Sequence, residues 1–234
     1  MALYVMGDLH LSFSTQKPMD IFGEEWTNHA EKIQARWPLT PVDTVVVPGD
    51  LSWAADFSQL YADLTFLDNL PGQKIISKGN HDYWWNTLSK LTRFAQSFSS
   101  IRFLHNNSYE AEGVSICGTR GWTMGQSEED EKILRREAGR LRLSLQTATL
   151  PPVVFLHYPP LFAATRCGEI MDVLSEFQVQ ECYYGHLHGA RAIALAQQGN
   201  IEGIHFSLVS ADYLNFIPKK IRPLHPGSES EIIS

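Results

Sequence analysis

Disulfide-forming capacity is almost missing from this sequence. Its three cysteines, Cys117, Cys167 and Cys182, are odd in number and widely spaced. Such a set suits a reducing compartment and reads as core thiols rather than a disulfide framework. No apolar run is long enough to cross a bilayer, and the opening MALYVM has neither a basic n-region nor a cleavage site, so it is not read as a signal peptide. The expectation is a cytoplasmic protein with no membrane partner. Basic residues are in the minority, 19 Lys and Arg against 26 Asp and Glu for a net charge of −7. That balance argues against binding long nucleic acids, which takes clustered cations to neutralise phosphates. Neither a G-x-x-x-x-G-K-[ST] phosphate loop nor a G-x-S-x-G elbow occurs, so NTP-driven and serine-nucleophile mechanisms have no support. Internal repeats and low-complexity blocks are also lacking.

What the sequence does contain is an alternation. The stretches ALYVM, DTVVVP, QKIIS, VSICG, PVVFL and ECYYG are short, rich in Val, Ile and Tyr, and bounded by Gly or Pro, as strands are. Between them FSQLYADLTFLDNL, WWNTLSKLTRFAQSF and SEEDEKILRREAGRLRLSLQ carry helical spacing, the last opening on Ser127 and acidic residues. Strands alternating with helices predict an α/β fold. One domain is expected over residues 1–217, with a poorly packed tail over 218–234. Residues 11–40 hold many aromatics and no clear strand, and predict a long loop plus a surface helix.

Polar clusters fall where strands give way to loops: GDLH (7–10), PGDLSW (48–53), KGNHDYWW (78–85), LHYPP (156–160) and YGHLHG (184–189). In layered α/β folds, ligands gather outside the carboxyl ends of strands. Convergence there would bring together Asp8, His10, Asp50, Asn80, His81, His157, His186 and His188. Four imidazoles (His10, His157, His186, His188), two carboxylates (Asp8, Asp50) and the Asn80 amide oxygen form a nitrogen and oxygen ligand set without thiolate. It suits Mn, Fe, Zn or Co better than Cu(I), and so many imidazoles disfavour an all-magnesium or calcium site. Seven ligands are too many for one four-coordinate zinc and fit two divalent ions sharing a carboxylate. With two aspartates and a bridging hydroxide, the pair keeps one positive charge for an anionic substrate.

The ordered set D-x-H, G-D, G-N-H-D, a lone His after a strand, and G-H-x-H resembles the calcineurin-like metallophosphoesterase superfamily, over residues 7–189. The resemblance implies a four-layer α/β/β/α sandwich of two mixed sheets packed face to face, with a dinuclear metal site at their loop edge. It implies that Asp8, His10 and His188 hold one ion, that Asn80, His157 and His186 hold the other, and that Asp50 bridges them. His81 would be the catalytic histidine, acting on the leaving group without ligating metal. The implied activity is hydrolysis of a phosphate ester by a metal-bridging hydroxide; the motifs leave mono- and diester open, and the acidic balance with a candidate aromatic wall favours a small phosphodiester or nucleotide. The alternatives are a nucleotide pyrophosphatase or phosphomonoesterase with the same site, or a non-catalytic metal-binding scaffold.

Around this core of residues the sequence offers softer readings. Asp82 is read either as an acceptor that fixes the tautomer or charge of His81 and so shares in catalysis, or as a plain helix cap. The glycine before Asn80 is expected to permit a tight turn or a close backbone approach. Rings such as Trp53, Tyr83, Trp84, Trp85 and Trp122 are commonly packing. The functional alternative is that Trp53, Tyr83 or Trp122 walls a substrate pocket in which Arg120 or Arg166 clamps an anionic group. His29, His105, His205 and His225 match no motif and are read as core or surface residues. The charged stretch 128–142 is read as a solvated helix face.

Overall fold

The computed structural model describes residues 1–122 and 127–221. The chain first lays down β1 (Leu3–Val5), β2 (Thr44–Pro48), β3 (Gln73–Ser77) and β4 (Ile101–Phe103). It then crosses to a second sheet through β5 (Tyr109–Ala111), β6 (Val114–Thr119) and β7 (Pro152–Leu156), makes a small hairpin from β8 (Leu161–Phe162) and β9 (Thr165–Arg166), and continues with β10 (Glu181–Tyr184), β11 (Gly199–Ile201) and β12 (Ile204–Leu208). Finally β13 (Lys219–Ile221) returns to the first sheet. The sheet orders are β13-β1-β2-β3-β4 and β11-β12-β10-β7-β6-β5. Their interiors are parallel, while β13, β11 and β5 join antiparallel. Both sheets are therefore mixed.

The side-chain alternation of the strands explains the layering. Val46, Ile75, Phe155 and Tyr183 meet in a core between the two sheets. Their neighbours point the other way: Val47 and Ile76 pack with Leu60, Leu64 and Leu67 of α2 (Phe57–Asn69), beneath α1 (His29–Ala35) and α3 (Leu88–Ala95). On the far side Val154, Leu156, Cys182 and Tyr184 pack with Leu134, Leu141 and Leu145 of α4 (Glu128–Gln146) and with Ile170 and Leu174 of α5 (Gly168–Glu176). Three cores separate four layers, helix, sheet, sheet and helix. Strands covered on both faces must be apolar at successive positions, which is why VVV and VVF read as continuous runs. All three cysteines are buried and free. No helix among the described residues is long and apolar enough to cross a membrane.

Three expectations differ from the structure. Residues 11–40 are mostly exposed, but they do not lie wholly on the surface: Met19, Trp26 and Ile33 are buried in the core beneath α2. Short 3-10 turns present Met19 and Trp26 at irregular spacing, so no helical period announces them. The helix expected over 84–98 is confined to Leu88–Ala95, because Trp84 is spent in the core and Trp85 packs on Phe103 and His105. The stretch from 218 onward begins with strand β13, whose Ile221 is buried against the sheet interior. Residues 222–234, the rest of the expected tail, lie outside the described residues.

One buried cation gives this fold a pH signature. Lys74 on β3 is fully buried, with its ammonium donating to the Leu70 carbonyl and to Ser100 Oγ at 3.0 Å. Burial pushes its pKa down from 10.5 to about 8, against the attraction of Asp68. Between those two values the unfolded chain binds more protons than the folded one, so this group adds stability as pH rises and costs most below pH 8. The urea midpoint of wild type relative to Lys74→Met is expected to rise between pH 8 and 10. A difference that stays flat from pH 7 to 10 would contradict the buried-ammonium account.

Candidate active site

Backbone bonds tie the carboxyl ends of the strands together before any side chain acts. Gly7 N–H donates to the Val209 carbonyl at 2.8 Å, which joins the two sheets. Asp8 donates to Gly49 at 3.0 Å, His10 to Asp50 at 3.0 Å, and Gly185 to His157 at 3.1 Å. At these junctions Asp8, His10, Asp50 and His186 all adopt positive φ, between 46° and 72°. The left-handed region costs a non-glycine residue on the order of 1–2 kcal/mol, and such strain gathers where surrounding structure holds it for function. Two glycines make the close approach possible. A Cβ on Gly79 would lie 2.1 Å from Asp50 Oδ1, and one on Gly185 would lie 2.3 Å from Asp8 Oδ2.

The side chains that result form two candidate ligand clusters, Asp8 with His10 and His188, and Asp50 with His157 and His186. In the first, His10 Nε2 faces His188 Nε2 at 3.4 Å, and His188 Nε2 lies 3.7 Å from Asp8 Oδ1. In the second, His157 Nε2 is 3.2 Å from His186 Nδ1 and 2.6 Å from Asn80 Oδ1, which adds the amide to this group. Asp50 Oδ2 stands between them, 3.5 Å from His157 Nε2 and 3.8 Å from His10 Nε2. Outer partners set the ring orientations. His157 Nδ1 meets the Pro48 carbonyl at 3.2 Å, and His188 Nδ1 meets Asp212 Oδ1 at 2.9 Å, so each turns its Nε2 lone pair inward.

The electrostatics match this crowding. Burial would raise Asp8, but the hydrogen bond and charge of His188, with His157 and His10, outweigh it and hold the carboxyl below its ordinary range. Asp50 goes the other way, to about 8, through burial and the nearby Asp8 charge. Burial lowers His10 and His157, and takes His186 to about 3 with help from His157. His188 rises to about 10 because Asp212 and Asp8 overcome its burial. Two carboxylates this close resist ionising together, and the neutral rings of His10, His157 and His186 converge on the same spaces. Divalent cations satisfy both demands. The donor set, nitrogen and oxygen without thiolate, fits such ions.

Other expected residues occupy different places. His81 is half-buried, outside both clusters; its backbone N–H donates to Asp50 Oδ1 at 2.8 Å and its Nδ1 lies 3.1 Å from the Tyr83 hydroxyl. Trp53 stacks on His10 at 5.2 Å between centroids and packs on His81 at 4.3 Å. Asp82 does not contact the His81 ring in the expected way. Its carboxylate is fully buried and accepts the backbone N–H groups of Asp50 (2.9 Å), Leu51 (3.0 Å), Ser52 (3.3 Å) and Gly79 (2.7 Å). Arg120 does not present a free clamp: it pairs with buried Glu137 at 3.7 Å and stacks its guanidinium on Trp122 at 4.7 Å. Trp122 is one ring removed from the ligands, behind Tyr158, with its N–H donated to Asp130 at 3.0 Å. Arg166 is engaged bidentately by Glu202 at 2.9 Å.

Three residues of the site escaped the sequence reading. Asp212 orients His188, His29 Nε2 reaches the His10 carbonyl at 3.2 Å, and the Tyr158 ring covers His186 at 4.3 Å. Asp212 and His29 touch their partners across long sequence gaps and belong to no motif. Tyr158 did carry a signal, since it follows a ligand directly.

A model of the calcineurin-like phosphoesterase family matches residues 1–190, which contain both clusters. The chain belongs to that family. It is thus a metal-dependent phosphoester hydrolase. Among solved structures, the phosphopantetheinyl hydrolase PptH from Mycobacterium tuberculosis aligns over 97% of this chain and 98% of its own, at 15% identity and a TM-score of 0.60. The protein of unknown function AQ665 from Aquifex aeolicus aligns over 94% of this chain and 95% of its own, at 17% identity and a TM-score of 0.51. At these identities the likeness is one of fold. No curated protein matches the chain.

The Gly79 contact yields a sharp test of this phosphoesterase site. The φ of Gly79 lies outside the left-handed region, so alanine there acts only through its Cβ, which meets the Asp50 backbone nitrogen at 2.2 Å as well as the carboxylate. Gly79→Ala is expected to lower metal affinity by about 10–100-fold, as displaced ligand supports do, while far-ultraviolet circular dichroism stays native. Unchanged metal content by elemental analysis would show that the loop yields without moving Asp50.

Proposed function

We propose that this phosphoesterase hydrolyses a small phosphate ester, with Asp8, His10 and His188 holding one divalent transition-metal ion, Asn80, His157 and His186 holding a second, and Asp50 shared. The observation that carries this reading is the position of Asp50 Oδ2, within 3.8 Å of a ring nitrogen of each cluster. Mn, Fe, Zn and Co suit the donors equally on chemical grounds. When bound, two such ions supply an activated water at neutral pH and positive charge against the phosphoryl oxygens.

The chain's own residues would do the rest. His81 lies beside the clusters with its backbone fixed by Asp50 and its ring held between Trp53 and the Tyr83 hydroxyl. From there it hydrogen-bonds the departing oxygen and passes it a proton. Trp53 and exposed Tyr83 offer a flat wall beside that position, which favours a diester or nucleotide over a phosphoprotein. Trp122 and Arg120 are engaged elsewhere and add nothing to this preference. The net charge of −7 supports a compact substrate over long nucleic acid. PptH is by its name a phosphopantetheinyl hydrolase, so a phosphopantetheinyl ester belongs in the substrate panel.

Two variants separate binding from chemistry. Asp50→Ala is expected to reduce the content of both ions, because one carboxylate serves both; elemental analysis showing a single ion in wild type, unchanged in the variant, would defeat the dinuclear reading. His81→Ala is expected to keep its ions and lose about 10²–10⁴-fold in turnover. That loss should shrink for a nitrophenyl ester, whose leaving group needs no proton. Equal losses on activated and unactivated esters would remove the acid role from His81.

A further inference from the structure

The ligand clusters open into two apolar pockets of unequal size that share His188. The larger, of about 540 Å³, has His186 and His188 on one side and Pro159, Pro160, Phe162 and Ala192 among its walls. It is a built feature: hairpin β8–β9 is pinned to the end of α6 (Gly189–Ile193) by Ala163 N–H donating to the Leu195 carbonyl at 3.1 Å and by the bridge between Phe162 and Ala196. The smaller, of about 110 Å³, is lined by Met19, Phe22, Trp26 and Trp53 together with His10, His81 and His188. Among the described residues no lysine or arginine lines either pocket, and the nearest ammonium noted there is Lys17 Nζ, 5.5 Å over the Trp53 ring of the smaller one.

From this arrangement we propose that the substrate is a phosphodiester with two unequal apolar substituents, the larger retained on phosphorus and the smaller released. The proposal rests on the phosphoesterase reading given above. A monoester would leave one pocket unfilled, whereas a diester fills both. His81 stands only in the smaller pocket, so the oxygen it serves belongs to the group seated there. At roughly 30 Å³ per water-sized group, the volumes accept on the order of 4 and 18 such groups. On the larger, retained arm, further phosphates would meet no cation among the described lining residues, which turns the preference away from nucleoside polyphosphates there. In the reaction, water's oxygen bonds to phosphorus and the P–O bond to the smaller substituent breaks. The departing oxygen keeps the bonding pair and takes a proton, giving one alcohol and the monoester of the larger group.

Three measurements on the metal-loaded protein test this. Along dimethyl, methyl butyl and methyl octyl phosphates, followed by methanol release, kcat/KM should rise about 10–100-fold from the first to the last, the worth of burying the longer chain. In Ala192→Phe, which fills the larger pocket, the methyl octyl-to-dimethyl ratio should collapse toward one with metal content kept. Octyl phosphonate should also bind more tightly than methyl phosphonate by calorimetry, and less so in Ala192→Phe. For methyl octyl phosphate, methanol and octyl phosphate are the expected products. Octanol with methyl phosphate would overturn the assignment of the leaving side. A flat diester series, or octyl phosphate outpacing every diester, would overturn the two-pocket proposal and leave the hydrolase reading standing. No turnover of any ester by protein carrying two ions would instead strike at that reading itself.

Discussion

The geometry of the candidate ligand clusters depends on a carboxylate whose hydrogen bonds come from backbone N–H groups. Asp82 is wholly enclosed, and its two oxygens receive four backbone N–H groups, three from the loop after β2 and one from the loop after β3. Hydrogen bonds to a charged acceptor contribute about 1.5–3 kcal/mol each, and buried donors left without one cost comparable amounts. Because Asp50 and Asn80 sit on those two loops, the position of one relative to the other follows from Asp82. A rotation of either loop would open several of these bonds together.

That clamp also explains how strained backbone survives. Asp8, His10, Asp50 and His186 all hold left-handed conformations, and none is glycine. The true glycines, Gly79 and Gly185, lie instead where a neighbouring carboxylate would collide with a Cβ. Side chains that must point at a common space thus take the strained positions, and residues that must merely stay small give them room. The strain is tolerable because the strands beneath are fixed on both faces by the three cores. A loop on a less firmly packed strand would relax out of those dihedrals.

Much of this arrangement was legible in the sequence because it is local. Each ligand motif follows a short apolar run, and the runs at β1, β2, β3, β6, β7 and β10 are the strands they were read to be. Strands β4, β5, β11 and β13 have three residues each, as β1 does, but each includes a charged or amide residue where β1 reads LYV, so no apolar run announces them. Side-chain direction was the other blind spot. Trp122 and Arg120 follow a strand end as the ligands do, yet Glu137 and Asp130 of α4 turn them away from the clusters. Asp82 likewise lies beside His81 in sequence while its carboxylate points back at the β2 loop. Adjacency along the chain places a residue near the site without saying which way its side chain faces. Asp212, which sets the ring of His188, could be found only in three dimensions.

The partition of ligands between the sheets ties the chemistry back to the fold. Asp8, His10, Asp50 and Asn80 follow strands of the first sheet, and His157, His186 and His188 follow strands of the second. Each candidate cluster draws on both sheets. At this edge the sheets already meet through Gly7 and Ser210, and any cation held by either cluster would bind one sheet to the other. Ligands that must be deprotonated and assembled from two layers bind metal only in the folded chain, so metal affinity here is also folding free energy. The same arrangement divides the pocket walls, one pocket walled mainly by segments that follow the first sheet's strands and the other by the hairpin and short helix that belong to the second. A substrate seated in both would therefore be gripped by both halves of the sandwich, and its phosphorus would lie where their ligand loops converge.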